Sequence, residues 1–239
     1  MFNPLIGRRA FLKLTAAGMV GPDWSYSGAA GPTRWADLSA SYHTCRDGQR
    51  QSPVDIDIGT AVEAPVAFNY RPMPIDLDNN GRTVQQTDHG RCSLTLNGID
   101  YGLLQFHVHT PSEHTHRGRH YPMELHLVHR SPQDLAVVSV WIKPGSEQPE
   151  LARLAGWLPP PGQRRRSAVQ VNPALLLPTD RRLVQYSGSL TTPPCSENVT
   201  WLVMAIPIEA SLAQIETFHR RLGNNARPLQ RTSERISDL

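Results

Sequence analysis

Gln105-Phe106-His107-Val108-His109, followed after a loop by Glu124-Leu125-His126, is the stretch whose reading decides this chain. Successive side chains of a strand point to opposite faces, so His107 and His109 share one face while Phe106 and Val108 enter apolar packing on the other. In the second segment Glu124, His126 and Val128 lie together, and Leu125, Leu127 and His129 lie opposite. Pairing of the two strands brings three imidazoles together with no fourth protein ligand in view. Structural zinc is usually closed by four protein ligands, often cysteines, whereas three leave a position for water or substrate. Gln105 shares the face of the first two histidines, and Glu124 stands two residues before the third. Both are acceptors of the kind that fix a ligating ring's tautomer. The residues point to a reactive metal centre.

The chain has 239 residues and a formal charge of +3, enough length for one large domain or two small ones with a substantial core. No internal repeat is visible. Its basic residues are scattered apart from Arg164-Arg165-Arg166, which reads as a solvated Pro/Gly-rich loop rather than a nucleic-acid footprint. Residues 1–21 differ in kind: Arg8-Arg9-Ala10-Phe11-Leu12-Lys13 and a weakly apolar run to about Val20 resemble a twin-arginine export signal. The run is too short to span a membrane. Residues 22–239 then form the folded domain. Cys45, Cys92 and Cys195 are spaced too widely for a compact metal knuckle; an exported domain permits one disulfide and one leftover thiol, and spacing does not choose the pair.

From about Trp24 onward the pattern reads as short strands punctuated by turns at Asn79-Asn80-Gly81, Asp88-His89-Gly90 and Asn97-Gly98. Longer apolar strands are expected from Met123 to His129, Leu135 to Ile142, Leu183 to Tyr186 and Val199 to Ile206. Helices are expected from Glu147 to Gly156 and from Ser211 to Leu222, the latter capped by Ser211 and stopped by Gly223. The Pro159-Pro160-Pro161-Gly162 run is a surface connection, because strand patterns resume beyond it. Such an order predicts a mainly β, α+β chain on an antiparallel sheet with few helices.

In order along the chain, Trp24-Ser25-Tyr26, Gln51 to Ile56, Asn79-Asn80-Gly81, Gln105 to His109, Ser112 to Thr115, Glu124 to His129, Ser189 to Pro194 and Asn225 to Pro228 resemble the alpha class of carbonic anhydrases, in its bacterial, exported form. The resemblance implies a single domain on a large twisted, mostly antiparallel sheet with short peripheral helices. It implies zinc held by His107, His109 and His126, supported respectively by Gln105, by the backbone at Asn225 and by Glu124. It also implies reversible hydration of carbon dioxide to bicarbonate and a proton by zinc-bound hydroxide. Water on zinc falls from a pKa of roughly 15.7 to about 7, a value established for carbonic anhydrases themselves, and neutral imidazoles leave the metal's charge uncompensated.

By the same resemblance Thr191 and Glu113 are catalytic. Ionised Glu113 only accepts, so Thr191 donates to it and keeps a lone pair for the hydroxide. Val128, Val137, Leu190, Val199 and Trp201 form the apolar recess for carbon dioxide. Tyr26, Asn80 and Gln85 match positions that order cavity water. His114 and His129 are hydrogen-bonding residues of the fold and not ligands. Cys45 and Cys195 correspond to the disulfide of exported members, which leaves Cys92 unpaired.

The chain departs from the family after Asn79-Asn80-Gly81, where the usual proton-shuttle histidine is replaced by Arg82. An arginine stays protonated and cannot relay, whereas a histidine titrates near neutrality. Proton transfer is then expected to limit the rate, and a charge at the cavity mouth to attract bicarbonate. His89, in the nearby Asp-His-Gly turn, is a distant candidate relay, with a solvated turn as its plainer reading. Two competing functions remain on the sequence: a binding module of the same fold, against which the intact His107, His109, His126, Thr191 and Glu113 set argues, and a zinc esterase. The expected location is periplasmic or secreted, in a bacterium. The implied partner is the small-molecule substrate, with neither nucleic acid nor a membrane span. The oligomeric state stays open, a homodimer included.

Overall fold

The alternation that places His107 and His109 on one face is realised in the central strand of a large mixed sheet, in a computed structural model that describes residues 23–231. The strands are β1 (Val66–Asn69), β2 (Met73–Asn79), β3 (Val84–Thr87), β4 (Ser93–Leu96), β5 (Ile99–His109), β6 (Thr115–His116), β7 (Arg119–His120), β8 (Met123–Arg130), β9 (Leu135–Pro144), β10 (Arg164–Val171), β11 (Leu183–Ser189), β12 (Glu197–Met204) and β13 (Ile208–Ala210). The main path runs β10-β2-β3-β5-β8-β9-β12-β11, with β4 and β1 added beside β5 and β13 beside β9. All pairings are antiparallel except those of β12 and β13 with β9. The small pair β6-β7 stands apart.

Two features of β5 set the site. Asn97 and Gly98, at φ 50° and 77°, make the two-residue turn from β4, with Leu96 opposite Ile99. Further on, a register shift between Leu103 and Gln105 inserts one residue against β8. That bulge switches the strand's parity, so Tyr101 and Leu103 before it and Phe106 and Val108 after it all enter one core. Gln105, His107 and His109 are thereby turned to the opposite face.

That first face carries the main core, in which Phe106, Val108, Leu125, Leu127, Val138 and Val140 meet Leu151, Leu154 and Phe218 from two helices. α1 (Pro149–Ala155) starts at Gln148, whose side chain accepts from the Glu150 amide. α2 (Leu212–Leu222) has a capping box between Ser211 and Gln214 and ends at Gly223, φ 64°. Both lie where sequence periodicity expects them. The other face holds Val128, Val137, Trp141, Val199, Trp201 and Val203 beside the histidines. Burial on both faces explains why β8 and β9 read as nearly unbroken apolar runs.

Two expectations need correction. Residues 28–47 form short helical turns rather than strands, and the first named strand begins at Val66. Alternation is absent there, and the segment is closed instead by Trp35, Tyr42 and the Cys45–Cys195 disulfide, packed with Trp24 and Tyr26. Arg164, Arg165 and Arg166 are not a loop but the first residues of edge strand β10, paired with β2. Arg164 donates twice to buried Asp76, at 2.5 and 2.6 Å, and Arg166 once at 3.2 Å. His89 adds a contact of 2.8 Å. These partners, Arg164 foremost, hold the Asp76 carboxyl far below its ordinary pKa against the opposing effect of burial. An arginine-studded edge also resists pairing with another chain. Cys92 is buried and free. No helix among the described residues is long and apolar enough to cross a membrane.

Candidate metal centre and active-site cavity

His107 of β5 stands directly opposite His126 of β8, and His109 opposite Glu124. Each ring is turned by an acceptor on its outer nitrogen. Nδ1 of His107 lies 2.8 Å from Gln105 Oε1, Nδ1 of His109 lies 2.7 Å from the Asn225 carbonyl, and Nε2 of His126 lies 2.8 Å from Glu124 Oε1. All three acceptors require a proton on that nitrogen, so the other nitrogen of each ring presents a lone pair inward. The inward Nε2 atoms of His107 and His109 are 3.1 Å apart, and a ligand atom from each of the three rings lies within 4.8 Å of the others. Two zinc–nitrogen bonds of about 2.0–2.1 Å at a tetrahedral angle separate their nitrogens by about 3.3 Å, so the spacing suits that ion.

Burial keeps the rings neutral. It pushes His107 well below its usual pKa and His109 to about 4, and lowers His126 although Glu124 pulls the other way. Neutral imidazole is the form that binds metal. Glu124 stays ionised: burial opposes its charge, but His114 and His126 outweigh it. Its carboxylate also accepts from the Glu113 and His114 amides at 2.7 and 2.8 Å and from Ser139 Oγ at 2.5 Å. His114, 2.6 Å away through Nδ1, belongs to this network and contacts Tyr186 through Nε2.

Glu113 lies fully buried on the inner side. Oε1 accepts the Arg227 amide at 2.8 Å. Oε2, 3.5 Å from His109 Nε2 and 3.9 Å from His126 Nδ1, is buried without a hydrogen-bond partner. Burial pushes this carboxyl up to about 7, with His126, the Arg227 amide and the Thr191 hydroxyl lowering it. An unpartnered carboxylate oxygen beside three inward lone pairs is the environment a bound cation and its solvent complete, so the residues fit zinc.

The rings form part of the lining of a cavity of about 240 Å³ shared with Tyr26, Gln85, Val128, Val137, Leu190, Thr191 and Trp201. Four of the five apolar residues expected at the recess line it; Val199 packs behind them in the same cluster. Leu135, Thr192, Pro193, Pro194 and Ser196 line it too and were not anticipated. Ser139 was also missed, although a lone hydroxyl in the apolar run 135–142 was a visible signal; it pairs with His126 across β8 and β9.

Arg82 and Asn80 are not among the lining residues. Asn80 Oδ1 is taken up by the Arg82 and Thr83 amides of its own turn. The Arg82 guanidinium donates to the Trp24 carbonyl at 2.7 Å and to Asp23, and its carbon stands 4.4 Å from the centre of the Trp24 ring. The charge expected at the mouth is therefore paired, and the side chain ties residues 23–24 to the rim. His89 is held by Asp76. His129 faces away from the metal site, against Tyr70 at 2.8 Å. The disulfide joins Cys45 and Cys195, with Cα atoms 5.0 Å apart.

The family model of eukaryotic-type carbonic anhydrase matches residues 30–236. The chain belongs to the alpha-carbonic anhydrases. Among curated carbonic anhydrases it is 39% identical over 241 residues to one from Klebsiella pneumoniae, covering 97% of each chain. It is 40% identical over 225 residues to one from Nostoc sp., covering 90% of this chain and 84% of the relative. A solved alpha-carbonic anhydrase from Thermovibrio ammonificans, in complex with the inhibitor sulfanilamide, superposes with a TM-score of 0.86 at 43% identity, covering 90% of this chain and 98% of its own.

Proposed function

We propose that the protein hydrates carbon dioxide reversibly at the three-histidine centre, with zinc held by His107, His109 and His126. The convergence of three neutral, inward-facing imidazoles on one apolar-walled cavity carries this reading. Zinc supplies there a Lewis acid and a solvent molecule acidified to a pKa of about 7, as is established for carbonic anhydrases. Gln105, Asn225 and Glu124 fix the ring tautomers. In its ionised form Glu113 only accepts; the Thr191 proton would then go to it, and the Thr191 oxygen would keep lone pairs for a reactant hydroxyl on the cavity side. Val128, Val137, Leu190 and Trp201 give a small apolar substrate a wall that water does not wet.

The proton produced in each turnover must then reach bulk solvent. Burial pushes the Tyr26 hydroxyl well above its usual pKa, Gln85 does not titrate, and the Arg82 guanidinium, tied to Trp24, has donors but no acceptor. Proton transfer to small buffers is proposed as the limiting step. Stopped-flow hydration with zinc content measured alongside tests both readings. Chelation should abolish the rate and added zinc restore it; a zinc-loaded chain that cleaves esters but leaves carbon dioxide untouched overturns the assignment. Arg82→His should raise turnover several-fold in weak buffer and little in strong buffer, and an unchanged weak-buffer rate refutes the limitation.

We further propose that residues 1–21, which lie outside the described segment, direct export to the periplasm or beyond. Arg8-Arg9 and the disulfide support this. Sequencing the N-terminus of chain recovered from the periplasmic fraction tests it.

A further inference from the structure

Arg227 is 2% exposed and is not among the residues lining the three-histidine cavity. It donates to the Gln51 Oε1 atom at 3.0 Å, to the Ser52 carbonyl at 2.8 Å and to the Cys45 carbonyl at 2.9 Å. Each of those three residues is fastened to the loop that carries Thr191. Cys45 is bonded covalently to Cys195. Gln51 Nε2 donates to the Cys195 carbonyl and to Glu197, both at 3.1 Å, which grips the far end of the loop. Ser52 grips the near end: its amide donates to Ser189 Oγ at 2.9 Å, and its Oγ accepts the Ser189 amide at 3.1 Å. The clamp is packed so closely that a Cβ on Gly188 would strike Ser52 Oγ, and one on Gly48 would strike Gln51 Nε2. Within its reach Cys195 and Asn198 hold left-handed backbone at φ 56° and 69°, which surrounding contacts must impose. The Arg227 backbone meanwhile donates to Glu113.

We propose that Arg227 is a positioning residue: one side chain and its own amide lock the Thr191 loop and Glu113 into a single rigid unit, so that the donor and acceptor of the catalytic pair keep their registration. The inference rests on the roles proposed above for Thr191 and Glu113. The three acceptors of this buried cation are all neutral, so burying its charge is costly and fold stability alone is a poor account of it. Registration is sensitive, since a misplacement of about 1 Å far from the chemistry lowers rates by about 10²-fold.

The test compares wild type, Arg227→Met, Arg227→Lys and a core variant away from the site, Leu176→Ala. Zinc content, melting temperature, hydration kcat and KM, and amide exchange of residues 189–197 against 105–109 are measured for each. The expected result for Arg227→Met is full zinc, kcat lower by about 10²-fold, KM within about twofold, and faster exchange confined to 189–197. Arg227→Lys should recover part of kcat, and Leu176→Ala should lose melting temperature while keeping kcat. A wild-type kcat in Arg227→Met, or a kcat loss in Leu176→Ala of equal size at equal melting temperature, overturns the proposal. If Arg227→Met fails to fold, Gln51→Ala, which cuts the tie to Cys195 and Glu197, must show the same pattern at smaller size; an unchanged kcat there overturns it equally. Zinc-loaded wild type without hydration would defeat the assigned reaction instead, and unchanged exchange at 189–197 in the variants would defeat the clamp.

Discussion

The imidazole cluster and the Thr191–Glu113 pair are neighbours in space, yet the backbone holds them by different means. His107 and His126 face each other across adjacent hydrogen-bonded strands, and two of the three outer acceptors lie two residues from the ring they orient. The other wall is irregular: Glu113, Gln51, Cys45 and Arg227 are joined by bonds between positions 114 to 182 apart in sequence. Strand pleat fixes the first region from within, so it should tolerate distant damage. Long-range ties fix the second, so it should loosen whenever one is cut.

The largest expected effect strikes the first region at its centre. His126→Ala removes one ligand of three and should abolish zinc retention and hydration together, read by metal analysis and stopped flow; retained zinc would mean that the sheet does not set the ligand geometry. Next, Cys45→Ser with Cys195→Ser should cost roughly 2–5 kcal/mol in urea unfolding, because the bond closes a loop of 150 residues, and should lower kcat while leaving zinc affinity unchanged. An equal loss of zinc affinity would erase the contrast between the two walls. Glu124→Gln should weaken zinc binding by about 10–100-fold with the fold intact, as measured by competition with a chelating dye.

A separate effect, away from both walls, is a pH slope in the metal-stripped protein. Burial pushes His129 down to about 3, from an unfolded value near 6.5. Above pH 6.5 the ring is neutral folded and unfolded, so its contribution is fully present. As pH falls from 6.5 towards 3 only the unfolded chain takes the proton, and stability is lost, by up to a few kcal/mol. His129→Leu should flatten that part of the unfolding-energy profile; an unaltered slope would place the acid sensitivity in the ligand rings.

Legibility followed the same division. His107, His109 and His126 and two of their acceptors could be read directly, because strand alternation and two-residue spacing are local properties. The bulge between Leu103 and Gln105 left no sequence signal, but it precedes the ligands and does not disturb their parity. The Asn225 carbonyl, the Arg227 guanidinium and the Gln51 clamp are contacts across most of the chain, so only family resemblance pointed towards their segments. Arg164–Arg166 are solvent-exposed, as their charge suggests, and misled only in being read as a loop. The carboxylate that recruits this run, Asp76, sits on a neighbouring strand 88 positions away from Arg164. Residues 28–47 misled because aromatic packing and a disulfide, rather than alternation, organise them.

The facing arrangement of His107 and His126 has one more outcome. Since amide-to-carbonyl rungs already join β5 to β8 on both sides of the rings, an ion arriving there has no strands left to assemble. The centre should act as a socket, not a rivet: ions ought to be exchangeable at leisure, one divalent species for another, without the polypeptide ever having to be denatured and renatured.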